Sequence, residues 1–128
     1  MSDTKQVILI RKDLKMRRGK EIAQGAHASM EFLVSHLRQT QDHQVSLSLD
    51  KTTIDWLQQG TPKICLQANS EEELHDRYNA ALALGLKSYL IQDSGRTEFN
   101  GVPTYTACCI GPDLSDSINK VTGDLKLY

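Results

Sequence analysis

With 128 residues, 39% hydrophobic and 24% charged side chains and only three prolines, the chain has the size of one domain. It has neither the apolar excess of a membrane protein nor the compositional bias of a disordered one. The formal charge of -1 excludes a uniformly basic nucleic-acid coat, so any anion site has to be a local patch.

The opening is polar and turns apolar only over Val7-Ile8-Leu9-Ile10. That run is too short for a signal-peptide core or a membrane span, and a cytoplasmic chain is expected. Its β-branched content suits a strand covered on both faces, over Lys5 to Arg11. The polar stretch Asp13 to Lys20 then leads into a helix on which Ile22, Ala26, Met30, Leu33 and Leu37 recur at steps of four and three, which predicts a core-facing stripe. A second stripe, Lys20, Gln24, His27 and Glu31, shares another face of the same helix. Arg38 to Gln44 reads as a helix end and loop. Thr52 or Thr53 is expected to cap a short helix through Trp56-Leu57 that stops at Gly60.

Pro62 to Ala68 alternates at Ile64, Leu66 and Ala68 and predicts a second strand. Ser70 and Glu73 form a capping box, Glu71-Glu72-Glu73 complement the helix dipole, and Leu74, Tyr78, Ala81 and Leu82 supply a buried face up to Gly85. Ser88 to Gln92 predicts a third strand, Asn100-Gly101 a tight turn, and Thr104 to Ile110 a fourth strand. Gly111-Pro112-Asp113 is expected to open a last helix through Ile118 and Val121 that stops at Gly123. This order predicts one α/β/α sandwich over residues 1–128, around a four-stranded mixed sheet. The link between the third and fourth strands is too short for a crossover, so that pair should be antiparallel.

Cys65, Cys108 and Cys109 are an odd set without C-x-x-C spacing, expected as buried reduced thiols. His36, His43 and His75 show no metal-site spacing and no H-E-x-x-H occurs, so no cofactor or metal is expected. No G-x-S-x-G elbow supports a covalent serine mechanism. Gly19-Lys20 is not a nucleotide P-loop, because the first glycine of that motif is missing and Glu21 stands in place of the metal-binding hydroxyl.

Two loops follow strand ends, where ligands gather in open α/β sheets. The first concentrates Arg11, Lys12, Lys15, Arg17, Arg18 and Lys20 before a helix N-terminus. It reads either as a phosphate site built from cations and free backbone N–H groups or as a solvated basic loop. The second offers Asp93, Arg96 and Thr97 around Gly95, either a site that orients or deprotonates a water or an Asp-capped turn. His27, on the polar stripe, is either a proton carrier or an inert surface histidine.

The runs Val7 to Lys20 and Ala23-Gln24-Gly25-Ala26-His27-Ala28 closely resemble the opening of the type II peptidyl-tRNA hydrolases. Leu90 to Thr97 resembles that family's D-A-G-R-T loop, and Ile110-Gly111-Pro112 with Ile118 to Tyr128 its C-terminal signature. The likeness covers nearly the whole chain. It departs at Arg17-Arg18-Gly19-Lys20, where members usually show G-K-G-K, at Ser94, which replaces an alanine, and at Asn100 to Pro103, which replaces a shorter turn.

The resemblance implies a four-stranded mixed sheet packed between helices and often dimeric. It implies metal-free hydrolysis of the ester that joins a peptide to the terminal ribose of tRNA. It places Lys20, Asp93 and Thr97 at catalytic positions, with Gln24, His27 and Arg96 supporting them, and leaves Arg11, Lys15, Arg17 and Arg18 to hold tRNA phosphates. A competing expectation from another class is a non-catalytic module that binds RNA or protein on the same scaffold.

Overall fold

The computed structural model describes residues 2–128. Its elements follow the order β1 (Thr4–Arg11), α1 (Arg18–Leu37), α2 (Lys51–Gln58), β2 (Lys63–Ala68), α3 (Glu71–Ala83), β3 (Ser88–Asp93), β4 (Thr104–Leu114) and α4 (Ser115–Thr122). The four strands form one open sheet in the order β2-β1-β4-β3. β1 pairs parallel with β2 and antiparallel with β4, and β3 pairs antiparallel with β4. The sheet is therefore mixed, as the short link between β3 and β4 requires.

β1 explains the sandwich. Its side chains alternate between two cores, each on one face of the sheet. Val7 and Leu9 enter a cluster with Leu66, Leu74, Ala81, Ile110, Ile118 and Val121, which is roofed by α3 and α4. Ile8 and Ile10 enter a second cluster with Met16, Ala28, Ile91, Ala107 and Cys109, beneath α1. α2 joins α1 through an edge-on contact of Trp56 with Phe32, ring centres 5.8 Å apart.

Several local expectations need correction. Asp50, and neither Thr52 nor Thr53, caps α2: its carboxylate accepts from the Thr53 N–H at 2.9 Å. At α3 the Ser70 hydroxyl accepts from the Glu73 N–H at 3.0 Å, while the Glu73 carboxylate reaches back to the N–H of Asn69 at 3.1 Å. Leu74 and Ala81 are fully buried, but Leu82 is 46% exposed. β4 runs on to Leu114, because the Lys5 and Thr4 positions of β1 continue to pair with Asp113 and Leu114. Gly111-Pro112-Asp113 thus ends a strand, and α4 starts at Ser115. The tight turn expected at Asn100-Gly101 is present, as a short turn over Phe99 to Gly101 in which all three residues have positive φ. Cys108 and Cys109 are buried and reduced, whereas Cys65 is exposed.

The largest correction concerns α1. Its buried residues are Gln24, Ala28 and Phe32. Ile22 is 67% and Met30 56% exposed, with Leu37 exposed as well. Two residues along an α-helix is a rotation of about 200°. The stripe expected in the core therefore lies nearly opposite the stripe that packs on the sheet.

Candidate active site

The first loop is held by Met16, which is buried in the core beneath α1. With that side chain anchored, Lys15, Arg17 and Arg18 project outward and are exposed. α1 then begins with Arg17 as its N-cap and no side-chain cap bond, which leaves first-turn N–H groups open at the positive end of the helix dipole. The second loop leaves β3 at Asp93 and turns at Gly95, where φ is +83. A Cβ at Gly95 would overlap the Val102 backbone, so only glycine fits there.

These two loops meet. The Lys20 ammonium donates to the Asp93 Oδ1 at 2.7 Å and to the Thr97 hydroxyl at 2.8 Å. The second Asp93 oxygen accepts from the Gly95 N–H at 2.9 Å. The Lys20 and Asp93 side chains are only 13% and 12% exposed. Burial pushes the Asp93 carboxyl up, but the Lys20 hydrogen bond, the Gly95 N–H and the charges of Lys20 and His27 together hold it below the usual aspartate range. Asp93 is accordingly ionised at neutral pH, a group suited to orienting a water and countering positive charge.

Gln24, one turn along α1 from Lys20, is buried and lies between Asp93 and β4. Its amide nitrogen sits 3.5 Å from the Asp93 Oδ1, and its carbonyl accepts from the hydroxyl of Thr106. Because Thr106 donates to the oxygen of this amide, the NH₂ end is turned toward the carboxylate. Sequence reasoning missed Thr106, which is buried in β4. Its alternation within β4 marked only an inward position, and its partner lies 82 residues away in the chain.

The other candidates separate. His27 is exposed on the same helix face and lines a groove that ends at Asp93. Arg96 is exposed beside Thr97. Arg17 reaches across to the Glu98 carboxylate at 2.8 Å and thereby ties the two loops together at the rim. Arg11 points inward: it is 9% exposed, forms a double hydrogen bond with Asp13 at 3.1 and 2.6 Å, and donates to the Tyr105 carbonyl at 3.0 Å. Its donors are engaged by the fold, so the expectation that it holds phosphate does not match its position. The C-terminal Tyr128 supports the start of α1: its hydroxyl bonds Glu21, and the Lys12 ammonium lies 4.4 Å from its ring centre. Among the described residues, no three His, Cys, Asp or Glu side chains group as metal ligands.

A family profile described as peptidyl-tRNA hydrolase PTH2 matches residues 4–128. The chain belongs to this family. It is 39% identical over 123 residues to a peptidyl-tRNA hydrolase of Methanocaldococcus jannaschii, covering 96% of this chain and 98% of that one. It is 41% identical over 125 residues to a peptidyl-tRNA hydrolase of Sulfurisphaera tokodaii, covering 97% and 98%. A solved structure of a protein of unknown function from Agrobacterium tumefaciens superposes with a TM-score of 0.57 over 100% of this chain and 99% of the other, at 13% identity, and so shares the fold.

Proposed function

We propose that this chain hydrolyses the ester between a peptide and the terminal ribose of tRNA, with Lys20, Asp93 and Thr97 as the reacting centre. Family membership supports the activity. The observation that carries the choice of centre is the Lys20 ammonium, bonded at once to a carboxylate and a hydroxyl that lie 73 and 77 residues away in the chain.

Ester hydrolysis needs a placed water, a donor for the oxyanion that develops on the carbonyl, and a fixed ester. Asp93, held ionised, orients the water toward the carbonyl carbon. The Lys20 ammonium lies within reach of the same point and stabilises the oxyanion. The Thr97 hydroxyl fixes the ester. As the tetrahedral intermediate collapses, the carbon–oxygen bond to ribose breaks and the peptide leaves as a carboxylate. One proton of the water goes to the ribose oxygen and the other to solvent. Gln24 positions Asp93.

Lys15, Arg17 and Arg18, exposed at an uncapped helix N-terminus, hold tRNA phosphates. Arg96 and His27 flank the centre. Arg11 belongs to the scaffold. The enzyme works in the cytoplasm, where translation yields its substrate; among the described residues no helix is long and apolar enough to cross a membrane.

The chain also pairs with a second copy through the outer stripe of α1. Ile22, Ala26 and Met30 line an open apolar groove with Ile8, Ile10 and Cys65 beside the edge strand β2. Ile22 and Met30 are 67% and 56% exposed there, apolar surface that a second copy would remove from water.

The test is incubation of the purified chain with N-acetyl-aminoacyl-tRNA in the presence of a chelator. Release of deacylated tRNA is expected. Binding of the tRNA without release would contradict the proposal and identify a non-catalytic module.

A further inference from the structure

Two cavities meet at the Lys20–Asp93–Thr97 centre. One, about 380 Å³, is lined by Arg17, Gly19, Lys20, Thr97 and Glu98, at the N-terminal end of α1. The other, about 400 Å³, is a groove between α1 and β3 that runs from Asp93 past Gln24 and His27 to Glu31 and Arg38, with Leu90 and Gln92 on its β3 side. A peptidyl-tRNA has nucleic acid on one side of its ester and peptide on the other. The two halves therefore leave the centre in different directions.

Charge distinguishes the directions. Arg17 lines the first cavity at the open N–H groups of α1; it is 79% exposed and meets Glu98 through its Nε alone, which leaves both terminal nitrogens to an anion. In the groove, Arg38 has both terminal nitrogens engaged: its guanidinium binds the two Glu31 oxygens, at 2.5 and 3.1 Å. Glu31 itself is only 14% exposed, so the pair is fixed against the groove wall. Amide, imidazole and carboxylate groups beside the hydrocarbon of Leu90 match a peptide backbone and its side chains, and a space of this volume suits a small ligand.

The geometry points to this groove as the peptide subsite of the enzyme, with the Glu31–Arg38 pair reading the chain a few residues upstream of the ester; this rests on the hydrolase reading above. Glu31 lies seven residues beyond Gln24 on the helix, a rise of about 10 Å. An extended peptide advances about 3.4 Å per residue, so its third residue from the ester reaches the pair. A single aminoacyl group does not.

The experiment compares kcat/KM for N-acetyl-aminoacyl-tRNA and N-acetyl-tetrapeptidyl-tRNA, built on one tRNA with the same ester-linked residue. The unmodified chain is expected to prefer the longer substrate about tenfold, the worth of one charge-assisted hydrogen bond. Glu31→Gln, Arg38→Ala and Gln92→Trp, the last filling the groove from an exposed position on β3, should each bring the ratio toward one. The ratio cancels any loss of folded enzyme, so a destabilised variant still reports.

If all three variants keep the unmodified ratio, or lose both substrates equally because the groove holds the terminal nucleotides, the inference is overturned while the hydrolase reading stands. Absence of turnover for both substrates in the unmodified chain overturns the two together.

Discussion

Helix α1 carries two stripes whose chemistry and burial are reversed. Lys20, Gln24, His27 and Glu31 are polar, and they line the centre and its groove, with Gln24 fully enclosed. Ile22, Ala26, Met30 and Leu37 are mainly apolar, and they face outward. A helix that only had to stabilise a core would be turned the other way. Here the sheet-facing side provides contact through Ala28 and Phe32 while its first turns supply an ammonium and an amide to the site. The difference teaches that burial on this helix is assigned by chemistry at the β3 end of the sheet, and that the apolar stripe is left for another surface.

The comparison breaks most visibly if the polar stripe is not catalytic. Lys20→Ala and Asp93→Asn, each checked for folding by circular dichroism, should reduce turnover of peptidyl-tRNA by about 10²- to 10⁴-fold. The pH dependence sharpens this. Because the folded pKa of Asp93 is depressed, its ionised form and the stability of the pair are fully present above the ordinary aspartate value of 3.8. Both are lost as pH falls through the lower folded value. No activity limb from this carboxyl is therefore expected between about pH 5 and 8. In Lys20→Ala the lowering partner is gone and burial remains, so the acid limb of the residual rate should move up. A limb that stays in place would show that Lys20 does not set the ionisation of Asp93.

A smaller effect concerns the basic loop. Neutralising Arg17 and Arg18 together should weaken tRNA binding and flatten the dependence of log affinity on log salt by about 0.7 to 0.9 for each lost phosphate contact. An unchanged slope would place the RNA path elsewhere. The least effect on chemistry is expected from the outer stripe. Ile22→Asp with Met30→Lys should shift a dimer to monomer in sedimentation velocity, since neither side chain touches Lys20 or Asp93. A chain that sediments as a monomer before substitution would leave the stripe without its partner copy.

Much of this architecture was legible beforehand, for identifiable reasons. The β-branched run of β1, the Ser70 cap and the short link between β3 and β4 are local signals, and they led to the element order and the mixed sheet. Lys20 and Asp93 were legible as members of two loops at strand ends, and family motifs singled them out. What failed was orientation. Hydrophobic periodicity selects the most apolar face of a helix, and on α1 that face is outward. Arg11 read as one more cation of a basic loop, because its engagement with the Tyr105 carbonyl depends on β1 lying beside β4. Thr106 was an ordinary strand residue until Gln24 was seen to close over it. Glu98 and Arg38 carried no signal at all, since each gains its meaning from a charge brought close by the fold.

The central claim is that Lys20 and Asp93 act as one unit, and a double-mutant cycle on kcat/KM for a peptidyl-tRNA tests it most directly. If the ammonium and the carboxylate work together, Lys20→Ala combined with Asp93→Asn should cost little more than the worse of the two single changes. Losses that multiply in the double variant would mean that the two groups act independently, and the shared centre would be contradicted.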